Sequence, residues 1–167
     1  MKVFIGGSRN IKELDENVVR ALFDELNANA KILVGDADGV DTEIQKFCKK
    51  HNYNEIVIYA SNGKARNNVG NFKVHTVPVG KNTYSKKFFV EKDIAMTNEA
   101  DYGIVIWDSK SKGSLEQLYR MVRQNKPCHV YLVEEKRWVE IESENTIKGI
   151  SSLRKTLTSN THQLSFI

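Results

Sequence analysis

The chain has 167 residues, of which 40% are hydrophobic, and its 25 basic and 21 acidic side chains leave a net charge of +4. This length is typical of one domain. We find neither an apolar run that could span a membrane nor the apolar core of a secretory signal, so we expect a cytoplasmic protein with no membrane partner. Basic residues cluster no further than pairs such as Lys49 and Lys50. This favours a mixed-charge surface, and nucleic acid is not an expected partner.

Apolar runs and helical patterns alternate through the first part of the chain. Short apolar runs predict three strands, at residues 2–5, 32–34 and 56–59. A helix that Asp15 caps is predicted from apolar residues at four-residue spacing, Val18, Leu22 and Leu26. A second helix is predicted from Gly39 to His51. This β-α-β-α-β order predicts a parallel sheet with helices packed against it.

A long polar loop, residues 60–80, opens the rest of the chain, with at most a short extended piece over 73–79. The elements predicted after it are helices at 84–99 and 114–124, strands at 102–107 and 128–133, a hairpin strand at 138–141 and a helix at 146–157. The whole pattern predicts an α/β, Rossmann-like fold with a mostly parallel central sheet flanked by helices. We expect residues 1–133 to form it and residues 134–167 to extend the same domain.

Three of the four segments with notable residues are loops that lead from a strand into a helix, where ligands bind in an open parallel sheet. The first is GGSRN, residues 6–10. Gly6 and Gly7 let the backbone approach a ligand, Ser8 can donate a hydrogen bond, and Arg9 can clamp a phosphate. The alternative is a tight turn with a solvated arginine.

The second loop, GDADGVD at residues 35–41, follows a predicted strand with Gly35 and carries three acids. Its spacing does not match a calcium loop. One acid could hold ribose hydroxyls, with Asp36 and Asp38 as candidates, or Asp38 or Asp41 could cap the second helix. Arg66 and Asn67 of the long loop are expected to close over a ligand bound here.

The third segment, EKDIAM at residues 91–96, places Asp93 on the same helical face as apolar residues, namely Phe89, Met96 and Ala100. A charge on such a face needs a partner or marks a site. Lys92 is not expected to be that partner, because adjacent residues on a helix point in different directions.

The fourth segment, WDSKSKGSLEQL at residues 107–118, enters a helix at Gly113 and Ser114. Backbone N–H groups at a helix N-terminus attract anions, and Lys110 and Lys112 add positive charge, so we expect a phosphate there. The alternative is structural, since Ser114 and Gln117 fit the spacing of a capping box.

These four segments together resemble the SLOG superfamily, which includes the DprA/Smf DNA-processing proteins and the Lonely Guy phosphoribohydrolases. The segment GDADGVD is similar to the DprA motif GGARGID, with matches at Gly35, Ala37, Gly39 and Asp41. Asp36 and Asp38 replace a Gly and an Arg of that motif. Two added acids and a lost arginine argue against the same mode of binding to a DNA backbone.

The Lonely Guy enzymes carry an Arg-Lys-x-x-Met segment, of which Met96 matches while Lys92 and Asp93 differ from the Arg and Lys. Their Gly-Thr-x-x-Glu turn matches at Gly113 and Ser114, but the catalytic Glu falls on Gln117. If this chain were such an enzyme, the catalytic carboxylate would have to be Asp93, Glu116 or an acid of the second loop.

The leading hypothesis from sequence is a sensor or sequestering protein that binds a nucleotide-type small molecule. The alternatives are a hydrolase or transferase acting on an N-glycosidic or phosphoribosyl bond and, last, a DNA-binding module. The resemblance implies a homo-oligomer, and we expect neither a cofactor nor a metal, because Cys48 and Cys128 lack metal-ligand spacing. The predicted ligand-binding residues are Gly6, Gly7, Ser8, Arg9, Gly35, Asp36, Asp38, Arg66, Asn67, Lys92, Asp93, Asp108, Lys112, Gly113 and Ser114.

Overall fold

A computed structural model describes residues 1–80 and 85–152, with the backbone alone for residues 85–87. Within that part of the chain, seven strands form one sheet in the order β4-β3-β2-β1-β5-β6-β7. The strands are β1 Lys2–Gly7, β2 Lys31–Val34, β3 Ile56–Ser61, β4 Lys73–Val77, β5 Tyr102–Trp107, β6 Cys128–Leu132 and β7 Arg137–Glu140. All neighbouring strands are parallel except β6 and β7. The predicted α/β, Rossmann-like fold is confirmed.

The helices flank this sheet on both faces. They are α1 Glu16–Asn27, α2 Val40–Lys50, α3 Ser85–Glu99, α4 Lys112–Arg123, and α5, which begins at residue 144 and is described to residue 152. The predicted extension of α5 to residue 157 lies outside the described residues. No described helix has the length and apolar character needed to cross a membrane. The proposed division of the chain at residue 133 stays a prediction, although β7 pairs directly with β6.

Each face of the sheet has its own apolar core, because successive side chains of a strand point to opposite faces. On β1, Val3 and Ile5 join the core that includes α1 and α2, while Phe4 joins the core that includes α3 and α4. All three side chains are fully buried. Burial of a side chain of this size contributes roughly 1.5–3 kcal/mol to stability, so β1 anchors both layers of helices.

The sheet order reverses between β1 and β5, and this reversal positions the candidate site. The chain moves outward from β1 through β2 and β3 to β4 on one side, then returns to β5 on the other side of β1. At such a switch point the loops after neighbouring strands diverge and leave a crevice at the carboxyl ends of the strands. The loops after β1, β2 and β5 all end at this crevice.

Two glycines hold the loops together there. A Cβ on Gly7 would collide with the backbone carbonyl oxygen of Ile106 on the neighbouring strand. Gly39 has a φ of 82°, and a Cβ there would collide with the backbone of Arg9. The missing side chain at Gly7 thus lets the end of β1 lie close against β5, and the missing side chain at Gly39 lets the loop after β2 contact the backbone of the loop after β1.

The segment predicted as a long loop contains a strand. β4 pairs in parallel with β3 over five residue pairs, from Val57 with Lys73 to Ser61 with Val77. The irregular part is thus residues 62–72, and it lies over the carboxyl end of β2. The alternating exposed and partly buried side chains of β4 are typical of an edge strand.

Candidate functional site

A cleft of about 490 Å³ lies at the carboxyl ends of β1, β2 and β5. All four segments singled out in the sequence contribute to its lining. The lining residues are Gly7, Arg9, Asn10, Ala37, Asp41, Lys92, Asp93, Asp108, Lys110, Ser111, Gly113, Ser114 and Gln117. The predicted loops are therefore brought together, although not every predicted residue faces the cleft.

One end of the cleft is the N-terminus of α4. The helix begins at Lys112, two residues before the predicted start, because Ser111 rather than Ser114 is its N-cap: the Ser111 Oγ accepts the backbone N–H of Ser114 at 3.4 Å. The alternative of a capping box formed by Ser114 and Gln117 is therefore wrong. Gly113 and Ser114 line the cleft, and their role in binding a phosphate stays a prediction. The first-turn N–H groups of α4 give this end a partial positive charge.

Two lysines lie at the start of α4. Lys110, in the loop before the helix, lines both the cleft and a second groove with Trp107 and Tyr119. Lys112, the first residue of α4, is exposed and lines the second groove but not the cleft. The prediction of Lys112 as a ligand-binding residue is therefore not supported by its position. Lys110 is the lysine placed to act at the α4 end of the cleft.

Ser8 and Asp108 join the β1 and β5 loops rather than offering free groups. The backbone N–H of Asp108 donates to Ser8 Oγ at 3.0 Å, and Ser8 is fully buried. The carboxylate of Asp108 accepts the N–H groups of Lys110 and Ser111 at 2.8 and 2.9 Å. Burial opposes ionisation of Asp108, but these hydrogen bonds outweigh it and lower its pKa. The predicted role of Ser8 as a ligand donor is wrong, because its hydroxyl does not reach the cleft.

Gln117 forms part of the cleft lining at 8% exposure. Among the described residues, its Oε1 is the one buried side-chain N or O atom without a hydrogen-bond partner. That oxygen lies against Gly6, so a side chain at Gly6 would contact it. Gln117, the position at which the sequence resemblance places the catalytic glutamate of the Lonely Guy enzymes, thus presents an amide here.

Glu116 points away from the cleft, so the prediction of Glu116 as a catalytic residue is wrong. It is exposed and pairs with Arg120 at 3.5 Å along the helix. The reason is the rotation of about 100° between successive residues of a helix, which places Gln117 and not Glu116 on the inner face.

The opposite end of the cleft holds a group of charges around Lys92, which is only 3% exposed. Its Nζ lies 3.0 Å from Asp93 Oδ1 and 3.8 Å from Asp36 Oδ1. The expectation that Lys92 is not the partner of Asp93 is wrong, because the long flexible side chain of lysine reaches around the helix to its neighbour. A buried lysine requires such partners.

Asp36 is held by the loop over β2. It is 2% exposed and accepts hydrogen bonds from Arg66, through the backbone N, Nε and Nη2, at 2.9, 3.2 and 2.8 Å. Burial opposes ionisation of Asp36, but the bonds from Arg66 and the charge of Lys92 outweigh it and lower its pKa. Both of its oxygens accept hydrogen bonds and the residue is only 2% exposed, so Asp36 is not placed to bind ribose hydroxyls as predicted.

Asp41 is the acid of this group whose pKa is raised rather than lowered. Burial raises its pKa to about 6, although Lys92 beside it works against the shift. Its Oδ2 accepts the N–H of Ala37 at 3.1 Å, and Gly35 leaves room for this carboxylate and for Lys92. Neither Asp38 nor Asp41 caps α2, since Gly39 is the N-cap and no side chain caps it. The capping interpretation of this loop is therefore wrong.

The loop 62–72 closes one side of the site through several hydrogen bonds. Asn67 Nδ2 donates to the Asp36 carbonyl at 2.9 Å and to Asp38 Oδ1 at 3.0 Å. Gln45 of α2 donates to the Asn67 carbonyl and accepts from Val69. Asn67 and Asp38 thus bind each other, and the loop is fixed on the protein without a ligand.

Phe89 on α3 is a residue that sequence reasoning missed. The guanidinium of Arg66 lies 3.8 Å from the centre of its ring, and that of Arg9 lies 5.9 Å from it. We call Arg9, Phe89 and Arg66 the aromatic–arginine platform. In the sequence Phe89 reads only as part of the apolar face of α3. Its spacing of four residues from Asp93, on a helix already suspected to reach the site, is the signal that could have found it.

No family model matches the sequence, and no curated protein matches it either. Solved structures do match. One is DNA processing protein A from Helicobacter pylori, described for its unique single-stranded DNA binding mode, with a TM-score of 0.62 and 19% identity over 96% of this chain and 81% of that one. This likeness shows a DprA-like fold. Membership of the wider SLOG superfamily and homo-oligomerisation stay predictions.

This likeness corrects two expectations from the sequence. The neighbour in fold is described for binding single-stranded DNA, which overturns the expectation that the ligand is a nucleotide-type small molecule. It also conflicts with the expectation that nucleic acid is not a partner. That expectation rested on the small net charge of +4, which does not describe how charges are distributed over the surface. Arg9 and Lys110, for example, both line the cleft.

Proposed function

We propose that this protein binds single-stranded DNA across the carboxyl-terminal edge of its sheet. The observation that carries the proposal is the aromatic–arginine platform beside the cleft, in which Arg66 stacks on Phe89 at 3.8 Å. Proteins that bind single strands combine positive charge along the backbone path with flat groups on which bases stack. The likeness in fold to a protein that binds single-stranded DNA supports the same reading.

The platform is organised before DNA arrives. Arg66 is bound to Asp36 through its Nε and Nη2 groups, and its guanidinium carbon lies 3.8 Å from the centre of the Phe89 ring, so the guanidinium is held in place. A fixed plane loses little conformational entropy when a base stacks on it. Arg9, the second arginine of the platform, is exposed and lines the cleft, where its guanidinium can meet a phosphate.

The N-terminus of α4 supplies the second part of the interface. Its first-turn N–H groups, together with Lys110, form a site for a backbone phosphate. The platform would then hold the neighbouring base. A base in a duplex is stacked on both faces and cannot lie on a protein plane, so this arrangement favours a single strand.

Fluorescence anisotropy with a labelled single strand of about 20 nucleotides tests the proposal. We expect binding that weakens steeply with salt and a clear preference over the matching duplex. Phe89→Leu keeps an apolar side chain but removes the ring under Arg66, and we expect roughly a tenfold loss of affinity. The matched control is Phe23→Leu on α1, where the ring is 39% exposed and lies away from the cleft. Affinity that is insensitive to salt, or equal losses in the two variants, would contradict the proposal.

A further inference from the structure

The two ends of the cleft have opposite electrostatic character. The α4 end offers backbone N–H groups and Lys110. The far end presents the carboxylates of Asp41 and Asp93 on either side of Lys92. A polyanion that ran through the whole cleft would have to place a phosphate against those carboxylates.

The carboxylates at the far end outnumber the cations there. Lys92 is the cation within 4 Å of both Asp36 and Asp93, and Arg66 is already engaged by Asp36. Asp93 Oδ1 is paired with Lys92, and the side chain of Asp93 is 20% exposed and lines the cleft. This end therefore accepts hydrogen bonds from neutral donors such as hydroxyl groups and repels phosphate.

Gln117 independently indicates that a ligand enters the cleft. Its side chain lines the cleft at 8% exposure, and its Oε1 has no partner among the described residues. Buried polar groups are ordinarily hydrogen-bonded, so an unpartnered amide in a cleft lining is typical of a group that awaits a ligand. It lines the same cleft as the first turn of α4 and the acids.

From this polarity we infer that the cleft captures the free 3′-hydroxyl end of a DNA strand. This inference rests on the proposed function. The terminal nucleotide places its 5′-side phosphate at the N-terminus of α4 and its 3′-hydroxyl at Asp93. The preceding nucleotides leave through the cleft mouth past Arg9 and the platform. A 5′-terminal nucleotide in the same pose would direct its 3′-side phosphate at the carboxylates, so the 3′ end is the one that fits.

Competition binding with strands of one sequence and four end structures tests this inference. The unlabelled competitors carry a 3′-hydroxyl, a 3′-phosphate or a 5′-phosphate, or are closed into a circle. We expect the strand with a 3′-phosphate and the circular strand to compete roughly tenfold less well than the 3′-hydroxyl strand. A 5′-phosphate on a strand with a free 3′-hydroxyl should leave its competition unchanged. Equal competition by the hydroxyl, phosphate and circular strands overturns end capture while single-strand binding stands. No binding by any strand overturns the proposed function as well.

The variant Asp93→Asn tests the residue assigned to the hydroxyl. It removes the repulsive charge, so we expect the preference for 3′-hydroxyl over 3′-phosphate to fall from roughly tenfold to less than threefold. This ratio is unaffected by a general loss of folded protein. The matched control is Glu55→Gln, an exposed acid just before β3 at the opposite edge of the sheet, which should keep the full ratio. A ratio that stays unchanged in Asp93→Asn would refute the assignment.

Discussion

The two edges of the sheet both carry lysines around a hollow, yet they differ in how those charges are held. At the amino-terminal edge a hollow of about 260 Å³ is lined by Lys2, Lys31 and Lys73, with His75 tilted against Tyr59 at 4.7 Å. At the carboxyl-terminal edge the cleft is lined by a buried lysine, paired carboxylates and a helix N-terminus. Positive charge and aromatic rings therefore occur at both edges, and composition alone does not distinguish them.

The direction of the helices distinguishes the two edges. In parallel crossovers each helix starts near the carboxyl ends of the strands and ends near the amino ends. Helix N-termini, with partial positive charge, thus face the cleft, and helix C-termini, with partial negative charge, face the other hollow. Lys2 pairs with Glu99, the last residue of α3, at that amino-terminal edge. The amino-terminal hollow therefore combines lysines with Glu99 and helix C-termini, whereas the α4 end of the cleft combines Lys110 with a helix N-terminus.

The largest predicted effect concerns the buried lysine. Lys92→Met leaves the carboxylates of Asp36, Asp41 and Asp93 without their shared cation, and we expect a loss of about 3–5 kcal/mol in the free energy of unfolding. Chemical denaturation measures it. At the other edge, Lys31→Met removes a partly exposed lysine and should change the same quantity by less than about 1 kcal/mol. Similar losses in the two variants would mean that the edges do not differ in charge burial.

The next effect is a pH dependence that only the cleft should show. The folded-state pKa of Asp41 is raised to about 6 from the ordinary value of 3.8. The unfolded chain therefore loses this proton at lower pH than the folded chain. As pH rises from 3.8 to 6, ionisation of Asp41 therefore lowers the free energy of unfolding of the wild type by up to about 3 kcal/mol. This decrease is complete above pH 6.

Asp41→Asn should remove that contribution. The free energy of unfolding of the variant should rise relative to wild type between pH 4 and pH 6 and then stay level. Denaturant titrations at several pH values measure the difference. A constant difference between the two proteins across this range would show that Asp41 is already ionised at acid pH and that the cleft does not hold a carboxyl group in its neutral form.

A smaller effect, on DNA affinity, compares exposed cations at the two edges. Arg9→Ala should weaken binding of a single strand roughly tenfold, because Arg9 lines the cleft mouth and offers a bidentate contact to phosphate. Lys73→Ala, at the start of β4, should weaken it less than twofold. Anisotropy titrations at one fixed salt concentration give both values. The reverse order would move the interface to the amino-terminal edge.

Much of the fold could be predicted from the sequence because its elements have clear periods. Asp15 caps α1 as predicted, accepting the N–H of Asn17, and the run 102–107 is the central strand β5. The strand β4 was missed as a sheet member because an edge strand buries little and so lacks an apolar pattern. The start of α4 was misplaced by two residues because three serines, 109, 111 and 114, compete for the capping position.

The site could be predicted only to the level of its loops. Arg9, Gly113 and Ser114 could be placed near the site from sequence because they follow the carboxyl ends of predicted strands. The topology of a parallel sheet alone brings such loops together. Which side chains face the cleft depends on tertiary contacts that no local pattern contains. Arg66 reaches Asp36 across thirty residues of sequence, and Phe89 matters only because Arg66 lies on it.

The smallest predicted effect separates two lysines that are only two positions apart. Lys110, in the loop before α4, lines the cleft and the neighbouring groove, whereas Lys112, the first residue of α4, lines the groove but not the cleft. Lys110→Ala should weaken binding of a single strand about threefold and reduce the dependence of log affinity on log salt by roughly 0.7, the value for one phosphate contact on a single strand. Lys112→Ala should leave that slope unchanged. Both variants remove one positive charge from the same short segment of the chain. A general electrostatic attraction would therefore lower both slopes equally. Only a phosphate held at the α4 end of the cleft predicts a difference between them.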